Sequence, residues 1–167
     1  MLKIMLSVVD DFSEYQFVIA GAPSQKSLFY KSFIKTKSVK FIDNATYDLL
    51  NCSKAAIVTS GTATLETALF KVPQIVCYKS SWMSYQIGKR LVNLNFISLV
   101  NLIMDREVVC ELIQDKLNKR NLSNELKKIL SPKKVNKIKS DYVKLNKKLG
   151  GVGASEKVAR SIFESLF

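Results

Sequence analysis

The 167-residue chain contains no histidine. A Ser-His-Asp triad, a Cys-His dyad and a His-ligated metal are therefore excluded for this chain's own side chains. Cysteine is scarce. Cys52, Cys77 and Cys110 are odd in number, widely spaced and form no C-x-x-C pair, so neither a zinc site nor a disulfide framework is expected and the thiols read as reduced. No apolar run approaches the ~20 residues of a membrane span. Met1–Val9 is apolar but short, meets Asp10 and Asp11 at once and lacks a small-residue cleavage site, so no secretory signal is expected. There is no internal repeat. Together these absences point to a reduced, cytoplasmic setting.

What is present is one domain's worth of chain, by the usual ~100–200 residues per domain. Hydrophobic residues make up 47%, which excludes a disordered chain. The formal charge is +12 and uneven. Residues 1–70 hold seven lysines against six acids, whereas Lys116–Lys148 holds twelve basic residues against Glu125 and Asp141, a local +10. Such a run suits a solvated helical face, an anionic lipid surface or nucleic acid. Tyr142 is its only aromatic residue, which argues against a stacking surface for single strands and against nucleic acid as the partner.

Apolar runs and turn signals alternate along the chain. Met1–Asp11 reads as the end of a helix, Tyr15–Ala20 as a buried strand, and Ser24 as the cap of a helix to about Thr36. Val39–Ile42 is a short strand, and Asn44 caps a helix through Cys52. Ala55–Val58 is a buried strand, Ala63–Phe70 a helix and Gln74–Tyr78 a strand. Trp82–Val92 reads as helical and Phe96–Leu99 as a last strand. From residue 106 the pattern predicts helices only: Glu107–Gln114, Leu122–Leu130, Pro132–Lys148 and Ala154–Phe167, with a glycine hinge at 150–153. Strands without polar alternation imply a parallel sheet covered on both faces. The expected fold is a Rossmann-like, doubly wound α/β domain with a helical C-terminal tail. Residues 1–105 would form the ligand-binding domain and 106–167 the helices that complete it. Its ligand should lie at the carboxyl ends of the strands.

The sharpest motif is Ala55–Glu66, where a strand ends in Thr59-Ser60-Gly61-Thr62 and a helix begins at once. Free N–H groups at a helix start favour phosphate. Gly61 permits close approach of the backbone, and Ser60 and Thr62 add hydroxyls. Glu66 stands one turn beyond Thr62, where a carboxylate suits a ribose diol. A simple capped helix, with Ser60 or Thr62 as the cap, is the alternative. A second polar cluster contains Asn101, in a loop past the last strand, with Glu111 and Gln114 three apart on a helix. It suits a sugar or nucleotide, or an ordinary polar helix face.

Thr59–Pro73, Lys89–Val92 and Phe96–Gln114 together resemble the lipid-A-disaccharide synthase family, over nearly the whole chain and most strongly over Ala55–Gln114. Two positions depart from the family pattern: Val100 stands where a proline is usual in Leu99-Val100-Asn101, and Cys110 replaces the proline before Glu111. The resemblance implies the C-terminal half of a two-Rossmann-domain (GT-B) glycosyltransferase. That family transfers 2,3-diacylglucosamine from its UDP form to 2,3-diacylglucosamine 1-phosphate in lipid A and lipopolysaccharide biosynthesis, releasing UDP. By similarity, Ser60, Gly61 and Thr62 face the diphosphate, Glu66 the ribose, and Asn101, Glu111 and Gln114 line the donor pocket. No cofactor and no metal are implied, and no Asp-x-Asp-like motif is present. The catalytic base belongs to an N-terminal half that this chain lacks, so it is expected not to turn over alone. The resemblance places the protein in the cytoplasm, peripheral at the inner membrane, and leaves room for a homo-oligomer. A non-catalytic nucleotide-binding module and a basic nucleic-acid-binding domain are the competing readings.

Overall fold

A computed structural model describes residues 1–22, 25–34, 38–81, 95–151 and 153–166. Five strands lie among them: β1 (Phe17–Ala20), β2 (Val39–Ile42), β3 (Ala56–Thr59), β4 (Gln74–Tyr78) and β5 (Cys110–Ile113). The helices are α1 (Leu2–Leu6), α2 (Ser27–Lys31), α3 (Thr46–Cys52), α4 (Ala63–Leu69), α5 (Leu99–Met104), α6 (Lys119–Leu130), α7 (Pro132–Lys148) and α8 (Ala154–Leu166). Strands and helices alternate and every strand pairing is parallel, which makes the fold Rossmann-like α/β with a helical C-terminal tail.

The parallel strands form two sheets, β1-β2 and β3-β4-β5. Val58 pairs with Val76, and Val76 with Glu111; in the smaller sheet Ile19 pairs with Phe41. β4 has partners on both sides and buries four of its five residues. β1 and β3, expected to be buried strands, are instead half-buried, and among the described residues each is hydrogen-bonded along one edge only.

One core joins these elements. Val8, Ile75, Val76, Cys77, Val100, Val109 and Leu122 are fully buried, and such aliphatic side chains contribute roughly 1.5–3 kcal/mol each. Leu122, Leu126 and Ile129 of α6, and Ile138, Tyr142 and Leu145 of α7, turn inward at helical spacing. Lys133, Lys137, Lys139, Lys144, Lys147 and Lys148 face solvent. Asn118 starts α6, its side chain accepting from the Asn121 N–H at 2.9 Å. Pro132 opens α7, where a missing N–H costs nothing.

Several expectations need correction. Phe96–Leu99 is not a strand: Ser98 Oγ accepts the Asn101 N–H and starts α5. Glu107–Gln114 is not a helix, and the chain after residue 105 is not all helical, because Cys110–Ile113 is β5. β5 pairs in parallel with β4, and the Val108 and Val109 N–H groups that lead into it are held by Asn101 Oδ1. Asn44 does not cap α3. It sits in the left-handed region at φ 52°, and Ala45 precedes the helix without a side-chain cap. α2 is only Ser27–Lys31. Ser24, and the helix expected over Trp82–Val92 with its Lys89–Val92 motif, lie outside the described residues.

Candidate functional site

Because β3, β4 and β5 are parallel, their carboxyl ends reach one edge of the sheet. Ser60, Ser80 and Gln114 stand just beyond those ends. After β3 the backbone turns through Gly61 at φ 144°, a conformation that strongly favours glycine. A Cβ added there would meet nothing within 4 Å among the described residues. α4 then begins without a side-chain cap. Thr62 Oγ1 makes no hydrogen bond among the described residues, and Ser60 Oγ donates to the Ile97 carbonyl at 3.1 Å. Neither hydroxyl caps the helix. The N–H groups of Gly61, Thr62 and Ala63 likewise have no backbone partner among the described residues. Glu66 is half-buried, one turn along α4, with no hydrogen bond or ion pair to its carboxylate among the described residues.

The second cluster is denser than its spacing foretells. Glu111, on β5, accepts four hydrogen bonds. Its Oε2 takes the Ile97 N–H at 2.9 Å, and its Oε1 takes the Ser98 N–H at 3.0 Å, Ser98 Oγ at 2.7 Å and Asn101 Nδ2 at 2.8 Å. Asn101 lies on α5 rather than in a loop and is fully buried. Its Nδ2 also donates to the Val109 carbonyl at 2.8 Å, while its Oδ1 accepts from the N–H groups of Val108 and Val109 at 2.8 and 3.0 Å. Gln114 is not a helical neighbour of Glu111. It follows β5 at φ 50° and reaches across to β4's carboxyl end, accepting from the Ser80 N–H at 3.3 Å and donating to Ser80 Oγ at 3.2 Å.

The structure thus joins Ser60 to Glu111 and Asn101 through the Ile97–Ser98 backbone. Gln114 forms a separate bridge to Ser80, and Glu66 touches neither group. Sequence reasoning missed Ser80 and the part played by the Ile97 and Ser98 backbone. Ser80 has a readable signal, since it stands two residues past a strand in the same way that Ser60 stands one past β3.

The remaining ionic and thiol groups lie away from this edge. Asp141 on α7 takes a two-pronged hydrogen bond from Arg106 at 2.6 and 3.2 Å, which holds its carboxyl below the usual range. Burial pushes the Cys77 and Cys110 thiols up to about 12, as inert thiols require. A cavity of about 620 Å³ lies between α1 and β2, lined by Lys3, Leu6, Ser7, Ser32, Phe33 and Val39, and contains none of the candidate residues. No helix among the described residues is long and apolar enough to cross a membrane.

Parallel strands alternating with helices and followed by a helical tail define a Rossmann-like α/β domain of the kind found in glycosyltransferases. Residues 1–163 match the family model described as lipid-A-disaccharide synthetase. The chain belongs to that family. It is 37% identical over 163 residues to the lipid-A-disaccharide synthase of Syntrophus aciditrophicus, covering 95% of this chain and 43% of that protein. The same enzyme of Francisella tularensis is 36% identical over 153 residues, covering 89% of this chain and 40% of the relative. The chain therefore spans less than half the length of these relatives.

Proposed function

We propose that this chain is the donor-binding, C-terminal part of a lipid-A-disaccharide synthase. In the whole enzyme it would hold UDP-2,3-diacylglucosamine while the sugar passes to 2,3-diacylglucosamine 1-phosphate and UDP leaves. The observation that carries the reading is the turn after β3, where the N–H groups of Gly61, Thr62 and Ala63 and the Thr62 hydroxyl have no partner among the described residues, with the Glu66 carboxylate, likewise unpartnered among them, one turn further on. Backbone N–H groups offset the charge of a diphosphate leaving group without a metal. Glu66 suits the two hydroxyls of a ribose.

In this reading Ser60, Gly61 and Thr62 face the diphosphate and Glu66 the ribose. Asn101, Glu111 and Gln114 belong to the donor pocket as well, Asn101 by holding Glu111 and the Val108–Val109 backbone in place. Residues 1–105 and 106–167 act as one donor-binding unit. The catalytic base comes from the rest of the enzyme. The lysines of α6 and α7 face an anionic leaflet, which makes the protein peripheral at the inner membrane on the cytoplasmic side.

Calorimetric titration with UDP tests the site. Saturable binding is expected, weakened about tenfold or more in Glu66→Ala, roughly the worth of a charged hydrogen bond. The melting temperature should hold, since Glu66 has no partner among the described residues to lose. A folded chain that ignores millimolar UDP sinks the reading. With both lipid substrates supplied, this chain alone should form no disaccharide.

A further inference from the structure

Gln74 is out of character with its strand. It opens β4, where the next three residues, Ile75, Val76 and Cys77, are apolar and fully buried. Gln74 is fully buried too, and its Oε1 has no hydrogen-bond partner among the described residues. An apolar side chain of the same length would avoid that desolvation cost. What the amide does is hold two other elements. Its Nε2 donates to the Thr64 carbonyl on α4 at 2.8 Å and to the Tyr142 hydroxyl on α7 at 3.2 Å. Thr64 and Tyr142 are buried as well.

Thr64 passes the contact on. It lies in the first turn of α4, and its Oγ1 and its N–H donate to the Gly61 carbonyl at 2.8 and 3.1 Å. Thr64 is therefore held at its own carbonyl by Gln74 and in turn holds the peptide that joins Gly61 to Thr62. That peptide carries the Thr62 N–H, which has no backbone partner among the described residues. The peptide needs holding, because a glycine at φ 144° brings no side chain to lock the turn.

We infer that Gln74 and Thr64 are positioning residues. With Tyr142 behind them they form a buried polar strut, from α7 through β4 to α4, that fixes the Gly61–Thr62 peptide so that its N–H is set for a diphosphate before one arrives. The inference rests on the nucleotide reading of this turn. Both side chains are fully buried, so they act through the backbone and not on the ligand. Donors fixed in advance bind better because nothing has to be ordered on binding. A strut that serves binding also has a signature that core packing lacks: stability and affinity move in opposite directions when it is removed.

Gln74→Met combined with Tyr142→Phe removes the amide and the hydroxyl together at nearly constant shape. The melting temperature should hold or rise, since both buried polar partners leave at once. UDP binding, read by calorimetry, should weaken about fivefold or more. In the ligand-free chain, nitrogen-15 relaxation should show the order parameters of Gly61 and Thr62 falling from about 0.85 toward about 0.6. Thr64→Val, which lacks the hydroxyl, should lower both affinity and order, and Thr64→Ser, which keeps it, should preserve both. This Thr64 pair carries the comparison if the double variant does not fold. Order parameters unchanged in the double variant and in Thr64→Val overturn the strut. Order that falls while UDP affinity stays overturns its part in binding, and so does a loss that Thr64→Ser shares with Thr64→Val. A parent chain that ignores UDP defeats the nucleotide reading, and the relaxation data then still decide whether the strut holds the turn.

Discussion

Asn101 offers the most exacting test of how this molecule is held together. Its side chain is fully buried and makes four hydrogen bonds at 2.8 to 3.0 Å. Replacing it with alanine strands the N–H groups of Val108 and Val109, both buried, at about 1–3 kcal/mol each. It also removes one of Glu111's four donors. The expected loss for Asn101→Ala is about 3–5 kcal/mol, a large share of the ~5–15 kcal/mol that domains possess. Urea unfolding followed by circular dichroism measures it, and the melting temperature should fall by about 10 °C at ~2–4 °C per kcal/mol. Asn101→Asp separates geometry from charge. It keeps the acceptor for both N–H groups but puts a second carboxylate oxygen about 2.8 Å from Glu111 Oε1. Two carboxylates that close share a proton, so the pair's folded pKa rises above its unfolded value. Protonation then stabilises the fold below that pKa, and this contribution is lost as pH climbs through it. The aspartate variant should therefore trail the parent more at pH 8 than at pH 5. A loss below about 1 kcal/mol in Asn101→Ala, or a pH-independent deficit in Asn101→Asp, would refute the reasoning.

Other expectations follow from single contacts. The Arg106 hydrogen bonds hold the Asp141 carboxyl below its ordinary value of 3.8, so this contribution is present above that pH and drains as pH falls through the lower folded value. Asp141→Asn should cost about 1 kcal/mol, since Arg106 is 42% exposed and solvent screens the pair, and acid titration of stability should flatten. Of the three thiols, exposed Cys52 should react with Ellman's reagent at pH 8 in the native chain, while Cys77 and Cys110, held up at about 12, wait for denaturant; three fast thiols would contradict their burial. Gly61→Ala meets no neighbouring atom among the described residues, so its cost should be backbone strain, about 1–2 kcal/mol by melting. Co-sedimentation with vesicles rich in anionic lipid should exceed that with neutral ones and fade with salt; equal pelleting with both would remove the membrane reading of α6 and α7.

The parts legible in the sequence are those where local chemistry and tertiary packing agree. Val39–Ile42, Gln74–Tyr78 and Pro132–Lys148 have their boundaries written in apolar period and in the proline at the helix start. The family was readable too, because Thr59–Pro73 and Phe96–Gln114 are dense in unusual residues. What misled was the stretch from Phe96 to Gln114. Its strand-like start becomes a helix because Ser98 caps it, and its helix-like end becomes a strand paired with β4, entered through two N–H groups that Asn101, seven and eight positions back, holds. Neither event is visible in periodicity, since both depend on side-chain-to-backbone hydrogen bonds. The half-exposure of β1 and β3 was equally hidden, because composition reports what a strand is suited to and not whether its neighbour is there.

The uneven distribution of the core has a kinetic consequence. Nearly all fully buried side chains belong to the unit of β3-β4-β5 with α4 to α7, whereas α2 buries none and β1-β2 buries only Val39. The larger unit's contacts close over short loops, such as the ten to fourteen residues between Glu111 and its partners, and short loops close fast and at low entropic cost. This unit should nucleate folding, with β1-β2 docking afterwards. On the return journey the small sheet should detach first, so limited proteolysis should cut in the region of residues 25–34 before the larger unit melts.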